Sequence, residues 1–265
     1  MVDYAYQQDM YVILNIHHEE WINRSDFPTA YDEMSERLKQ MWTQIATYFK
    51  DYDQHLIFEG MNEPRQIGTS YEWQGNAECY EVVNKLDADF VNTVRSIDSP
   101  YQDTRLLMIP PYAASAYASS YSSLVVPDDD YVAVSLHAYT PYDFAMGDGD
   151  HTTFSNKNKG DLDTLFSDIQ YYFTDKDIPV VMGEFSASNF NNTEARCDWA
   201  TYYLTWTKKL GIPCVLWDNN AITNSVSASE AHGYVNRSDN TWYEASEPVV
   251  DAMMTVMQDN SVVWG

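Results

Sequence analysis

Two glutamates carry the clearest chemical signal in this sequence. Glu63 stands in Leu56-Ile57-Phe58-Glu59-Gly60-Met61-Asn62-Glu63-Pro64-Arg65, and Glu184 in Pro179-Val180-Val181-Met182-Gly183-Glu184-Phe185. Each follows an apolar run of strand length, so both are expected at the same end of a parallel sheet. Two carboxyl groups about 5–5.5 Å apart are what a retaining glycosidase needs. One protonates the leaving oxygen and the other attacks the anomeric carbon. Their surroundings must keep the first protonated and the second ionised. A lone glutamate would mean little among 40 acidic residues, whereas a pair on separate strands means more. Polar residues also follow other apolar runs: His17-His18-Glu19, His137-Ala138-Tyr139 and Trp217-Asp218-Asn219-Asn220. The histidine pair raises metal chemistry as an alternative. It lacks the HExxH spacing, and adjacent strand residues point to opposite faces, so no metal site is expected.

The elements that must position these residues alternate regularly. Strands are expected at Tyr11–Ile16, Leu56–Gly60, Arg105–Ile109, Tyr131–Leu136, Ile178–Met182 and Pro213–Trp217. Helices are expected between them, over about Tyr31–Lys50, Cys79–Ile97, Asp161–Phe173 and Arg196–Leu210, with a weaker one near Ser119–Val125. Glu247–Gln258 closes the chain as a helix, and Val2–Met10 reads as the tail of one. Apolar strands alternating with helices indicate right-handed βαβ units. A doubly wound nucleotide site would want a Gly-rich first turn, and there is neither a GxGxxG nor a P-loop. No cofactor is expected. Functional residues after nearly every strand favour a (β/α)8 TIM barrel, whose site is assembled from several strand ends. Six strand–helix units can be read, so at roughly 30 residues per unit two more units, about 60 residues, are expected upstream.

The chain resembles glycoside hydrolase family 5, the large family of endo-acting cellulases and related hemicellulases. The resemblance covers essentially the whole chain, with strands three to eight of the barrel present. It is carried by Tyr11–Glu19 (YVILNIHHE), Ile57–Arg65 (IFEGMNEPR), His137–Pro141 (HAYTP), Gly183-Glu184-Phe185 and Leu216–Asn219 (LWDN), of which the NEP element is the most specific. The resemblance implies roles for the matching residues. Glu63 would be the general acid/base and Glu184 the nucleophile. Asn62 would bond the sugar 2-hydroxyl. Tyr139 would orient the nucleophile and His137 would help set the acid/base. His17 and His18 would line the −1 subsite, and Trp217 would be its sugar platform, with Asn219 beside it among the substrate-binding residues. The family's buried Arg, at the end of its second strand, has no counterpart here. The implied activity is endo-β-1,4-glucanase action on cellulose or related β-glucans, with xyloglucan, xylan and mannan as alternative substrates. Secretion is implied by the family alone, since Met1-Val2-Asp3-Tyr4 does not open a signal peptide. A different class of reading, a non-catalytic carbohydrate-binding fragment, is motivated by the absent units. Open strand edges would then invite self-association, where a complete domain would be monomeric.

Composition narrows the partners. Fifteen Lys+Arg against 40 Asp+Glu give 15 − 40 = −25 over 265 residues. That balance excludes nucleic acid as a main partner and argues against an anionic membrane. With 45 % hydrophobic residues the chain has the material for a sizeable core, and one catalytic domain over residues 1–265 is expected. Eight Trp and 21 Tyr are many. Trp21, Trp73 and Trp242 fall in expected loops and are candidate sugar platforms, while Trp42 and Trp206 fall at helical spacing and are expected in the core. A structural calcium among Asp128-Asp129-Asp130 or Asp148-Gly149-Asp150 is a weaker alternative to solvated loops. Cys79, Cys197 and Cys214 have no CxxC spacing and suggest neither zinc nor redox chemistry.

Overall fold

The computed structural model describes residues 1–147, 150–222 and 230–265. Asp148 and Gly149 of the second candidate calcium loop, and residues 223–229, lie outside the described residues. The chain divides into two compact units, Met1–Leu136 and His137–Gly265.

In the first unit α1 (Val2–Tyr6) leads into β1 (Val12–Asn15), α2 (Tyr31–Tyr48), β2 (Leu56–Glu59), α3 (Ala77–Arg95), β3 (Leu107–Ile109), a short α4 (Ala118–Tyr121) and β4 (Val132–His137). The strands pair in parallel, with Val12 opposite Leu56, Phe58 opposite Leu107 and Leu107 opposite Val132. In β3 and β4 every residue is buried, as expected for strands covered on both faces. Helices α2 and α3 lay Met34, Leu38, Trp42, Val83, Leu86 and Phe90 into one core. Trp42 donates its indole N–H to the Gly60 carbonyl at 3.0 Å. Its ring packs against Phe58 and Phe90 at 5.2 and 4.6 Å between centroids. Gly60 is required there, because a Cβ would lie 2.7 Å from the Phe90 ring. The buried Arg105 guanidinium donates to the carbonyls of Asp53, Leu56 and Tyr52. It thereby fixes the turn that feeds β2.

In the second unit a short α5 (Tyr142–Ala145) precedes α6 (Asn156–Tyr172), β5 (Val180–Phe185), α7 (Thr193–Lys209), β6 (Cys214–Leu216), the hairpin β7 (Val235–Asn236) and β8 (Thr241–Trp242), and α8 (Glu247–Gln258). Strands β5 and β6 are parallel. Six consecutive βα units of a (β/α)8 barrel are therefore present among the described residues. Helix α6 starts five residues before the expected Asp161. Ser155 caps it, accepting from the Asn158 amide while Asn158 Oδ1 accepts from the Ser155 amide. The buried Lys208 ammonium closes α8, donating to the carbonyls of Val256, Met257 and Asp259. No helix among the described residues is long and apolar enough to cross a membrane.

Asp87 is the exception in the first core. It is fully buried on α3, and neither carboxyl oxygen has a hydrogen-bond partner among the described residues. Burial pushes its carboxyl well above the usual carboxylate range, so the folded chain keeps the proton. Below about pH 4 the unfolded chain keeps it too. Above that the unfolded state releases the proton and the folded state does not, so this group lowers stability as pH rises. Asp87→Leu is expected to raise the melting temperature at pH 7, with a smaller gain at pH 4. Equal gains at both pH values would contradict a proton-linked cost.

Candidate active site

The first unit places its chemistry where β1 and β2 end. The Asn62 amide donates to the Ile16 carbonyl at 3.0 Å, carrying the parallel pairing past the last strand residues. This puts Asn62 level with the His17-His18 pair. His17 and His18 meet edge to face, with centroids 4.3 Å apart. His17 is half-buried and His18 exposed. Asn62 is 2 % exposed, and its Oδ1 has no partner among the described residues. A buried amide oxygen without a protein partner is unusual and suits a group that meets a ligand. Beneath them lies Glu59, buried on β2, whose carboxylate accepts from Asn15 at 2.9 Å and Ser135 at 2.5 Å. Asn15 in turn meets His17 Nδ1 at 3.3 Å. Glu59 thus braces the floor of the site, a role the motif reading did not assign.

Glu63 is half-buried and paired with Arg65, whose Nη1 stands 3.0 Å from Glu63 Oε2. Arg65 also lies over the Trp73 ring, 4.3 Å from its centroid, and 3.7 Å from Glu72. One guanidinium therefore links the candidate acid/base to a candidate platform. The loop carrying them is tied down from both sides. The Arg65 amide donates to Asn23 Oδ1, and the Gln66 side chain donates to the Ser25 carbonyl. The buried Tyr112 hydroxyl accepts from the Gln66 amide at 2.8 Å and donates to the Tyr71 carbonyl at 2.9 Å. Gly75, with φ of +67°, lets the loop pass Tyr80 and Tyr112, where a Cβ would come within 2.6 and 2.9 Å. Trp73 remains 54 % exposed with the Arg65 guanidinium over its ring. Trp21 is 7 % exposed, part of the core, and donates to Glu19 at 2.9 Å.

The second unit builds Glu184 into an irregularity of β5. Met182 pairs with Cys214 and Phe185 with Leu216, so β5 advances three residues while β6 advances two. An extra residue of this kind re-aims a side chain. The Glu184 carbonyl accepts from the Ala138 amide at 3.0 Å. Its carboxylate Oε2 accepts from the Tyr139 hydroxyl at 2.7 Å, with His137 Nδ1 3.5 Å away. Tyr139 is held in turn by the backbone around it. The Tyr203 hydroxyl of α7 donates to the Ala138 carbonyl, and the Trp199 indole to the Thr140 carbonyl. His232 packs on the Tyr139 ring at 5.7 Å. It is 1 % exposed, 2.9 Å from Ser186 Oγ and 3.3 Å from Ser188 Oγ. No strand-end pattern marks His232, which lies in the loop before β7. Trp217 is half-buried just beyond β6, where its amide donates to the Phe185 carbonyl. Asn219 is used locally: its Nδ2 donates to the Glu230 carbonyl and its Oδ1 accepts from the Ala221 amide. Trp242 is 46 % exposed on β8.

Parallel βα units with carboxylates, histidines and aromatic rings at the strand ends define a protein of the (β/α)8-barrel class. The comparisons place it further. Residues 1–222 match the model of cellulase (glycosyl hydrolase family 5), and the chain belongs to that family. It is 45 % identical over 251 residues to endoglucanase A of Clostridium longisporum, covering 92 % of this chain and 47 % of that protein. It is 42 % identical over 244 residues to endoglucanase B of Ruminococcus albus, covering 92 % and 58 %. The chain thus spans about half the length of the curated relatives it matches. Among solved structures, a GH5-4 broad specificity endoglucanase from Ruminococcus flavefaciens superposes with a TM-score of 0.95 at 54 % identity, covering 97 % of this chain and 75 % of that one.

The shared use of the Tyr112 hydroxyl yields a stability prediction. Tyr112→Phe removes the partner of one amide and one carbonyl in the loop that holds Arg65 and Trp73. A loss of about 1–3 kcal/mol is expected, measured by urea unfolding, with faster amide exchange at Gln66. Unchanged exchange there would show that the hydroxyl does not order the loop.

Proposed function

We propose that the chain is catalytic and cleaves internal β-1,4 bonds of β-glucan with retention, through a glycosyl-enzyme. The observation that carries this reading is the setting of Glu184. A phenol hydroxyl at 2.7 Å points at one carboxylate oxygen. A charge-assisted bond of that kind favours the ionised form, which a nucleophile must have. The family relationship and the endoglucanase names of the relatives support the same reading.

In this mechanism Glu184 attacks the anomeric carbon as Glu63 passes its proton to the leaving glycosidic oxygen. Water, deprotonated by Glu63, then displaces Glu184 from the sugar. Asn62 offers its buried amide to the 2-hydroxyl, His17 and His18 line the sugar next to the scissile bond, and Trp217 and Trp73 supply ring faces. Arg65 stabilises the ionised Glu63 of the glycosyl-enzyme, when that residue must act as base. Among neighbours at 36 % and 40 % identity are a xyloglucan-specific endo-β-1,4-glucanase and a broad specificity endoglucanase, each with cellotriose bound. A substrate range including decorated glucans is proposed on that basis. A polymer too large to enter a cell must be met outside it, so secretion is proposed as well.

Glu184→Ala is expected to abolish turnover of both β-glucan and an activated aryl cellobioside while the folded protein still binds oligosaccharide. Glu63→Ala should lose β-glucan hydrolysis but keep the first step on the activated substrate, whose leaving group needs no proton. Full activity of Glu184→Ala on either substrate would sink the assignment. Tyr139→Phe removes one charge-assisted bond worth about 1.5–3 kcal/mol. It should lower kcat by roughly 10–100-fold and move the acidic limb of the pH–rate profile upward. An unmoved limb would mean that Tyr139 acts only in packing.

A further inference from the structure

Helix α7 has two faces. Trp199 and Tyr203 point inward, where they pack on Phe185 of β5. Asp198, Thr201, Tyr202, Thr205, Trp206 and Lys209 form an outward stripe and, with Lys159 of α6, line a groove of about 340 Å³. Trp206, expected in the core from its spacing, is half-buried and belongs to this groove.

The groove is built rather than incidental. The Tyr202 hydroxyl and the Trp206 indole N–H both donate to Asp163 Oδ1, at 2.7 and 2.9 Å. That shared acceptor fixes two aromatic rings one helical turn apart, about 6 Å along the axis. Phe166 stacks against Trp206 at 5.9 Å with 15° between planes. Lys159 lies 5.7 Å from the Tyr202 ring centre and Lys209 5.8 Å from that of Trp206. Lys159 and Lys209 bring two positive charges to the lining and Asp198 one negative charge, and Asp163, behind the two rings, balances the other, in a chain of net charge −25.

A β-linked glucose unit presents C–H groups on both flat faces and hydroxyls around its rim. It therefore asks for ring faces beside hydrogen-bonding groups without net charge. Two rings spaced along a helix axis, edged by two threonine hydroxyls, two ammoniums and a carboxylate, match that demand over successive units of an extended chain. We propose that the outer groove of α7 is a second glucan-binding site, which holds the polymer without cleaving it. The proposal rests on the reading that the chain acts on β-glucan, and linkage to a catalytic site on the same chain would raise apparent affinity for long polymers over short ones.

The test is affinity electrophoresis of the full chain in the Glu184→Gln background, through gels containing soluble mixed-linkage β-glucan or, separately, polygalacturonate. Tyr202→Ala/Trp206→Ala is expected to weaken retardation by β-glucan about fivefold or more, as loss of buried aromatic anchors does. Because that pair also packs on Phe166, Thr205→Glu serves as a second variant that blocks the groove and leaves the rings in place. In the active background both variants should hydrolyse cellotetraose within about twofold of the parent, since a short chain cannot span two sites. Unchanged β-glucan retardation in both variants would overturn the proposal, as would stronger retardation by polygalacturonate than by β-glucan. Turnover by Glu184→Gln would instead overturn the catalytic reading, while the difference in retardation would still decide the groove.

Discussion

One hydrogen bond organises the second unit: the Tyr139 hydroxyl on Glu184 Oε2. For it to form, two residues from different strands must present side chains to the same point, and neither strand does so by regular pleating alone. On β5 the extra residue between Met182 and Phe185 turns Glu184. Beyond β4, the carbonyls flanking Tyr139 are held by Tyr203 and Trp199 of α7. The alternation of extended backbone then sends the tyrosine ring to the side opposite its neighbours. The buried His232 packs on that ring and is itself fixed by Ser186 and Ser188, two and four residues after Glu184. The carboxylate, its donor and the donor's support therefore form one closed arrangement.

The first unit solves a different problem. In the proposed mechanism Glu63 gives up a proton and later takes one back. Its partner is Arg65, which sits on a loop and also covers Trp73 and approaches Glu72. That guanidinium also donates to the Glu63 carbonyl at 3.1 Å, which holds it beside the carboxylate. The anchors of that loop, Asn23, Ser25 and Tyr112, act on backbone and side-chain atoms away from the carboxylate. The loop is thus fixed at points other than the Glu63 carboxylate.

These differences explain what could be read from the residues alone. Strands β1 to β6 and the long helices were legible, because apolar runs alternating with 3.6-residue periodicity are imposed by burial on both faces of a parallel sheet. The placement of Glu63, Glu184 and the His137–Tyr139 element at strand ends was legible because each stands at the end of an apolar run. Glu59 was not singled out, although a glutamate inside an apolar run demands partners. Asn15 and Ser135 supply them from neighbouring strands that no local pattern connects. His232 sits in a loop and the extra residue in β5 breaks the period of two, so neither leaves a periodic trace. The start of α6 was misplaced because Asn158 fills the capping position that glutamate or glutamine more often takes.

The aromatic excess now separates into distinct physical tasks. Trp42, Trp199 and Tyr203 are buried and spend their polar atoms on carbonyls of Gly60, Thr140 and Ala138, respectively. They hold backbone in place where β2 and β4 end. Tyr112 uses its hydroxyl twice to fix a loop. Trp73 instead remains exposed with Arg65 over its ring, and Tyr202 and Trp206 share one carboxylate on an outward helix face. Helical spacing could not distinguish Trp206 from Trp42, because both recur with the period of a buried stripe. What separates them is the polar partner. Trp42 bonds to a backbone carbonyl just past β2 inside the core, whereas Trp206 bonds to a half-buried side chain on the preceding helix α6, which holds the ring at the surface instead of drawing it in.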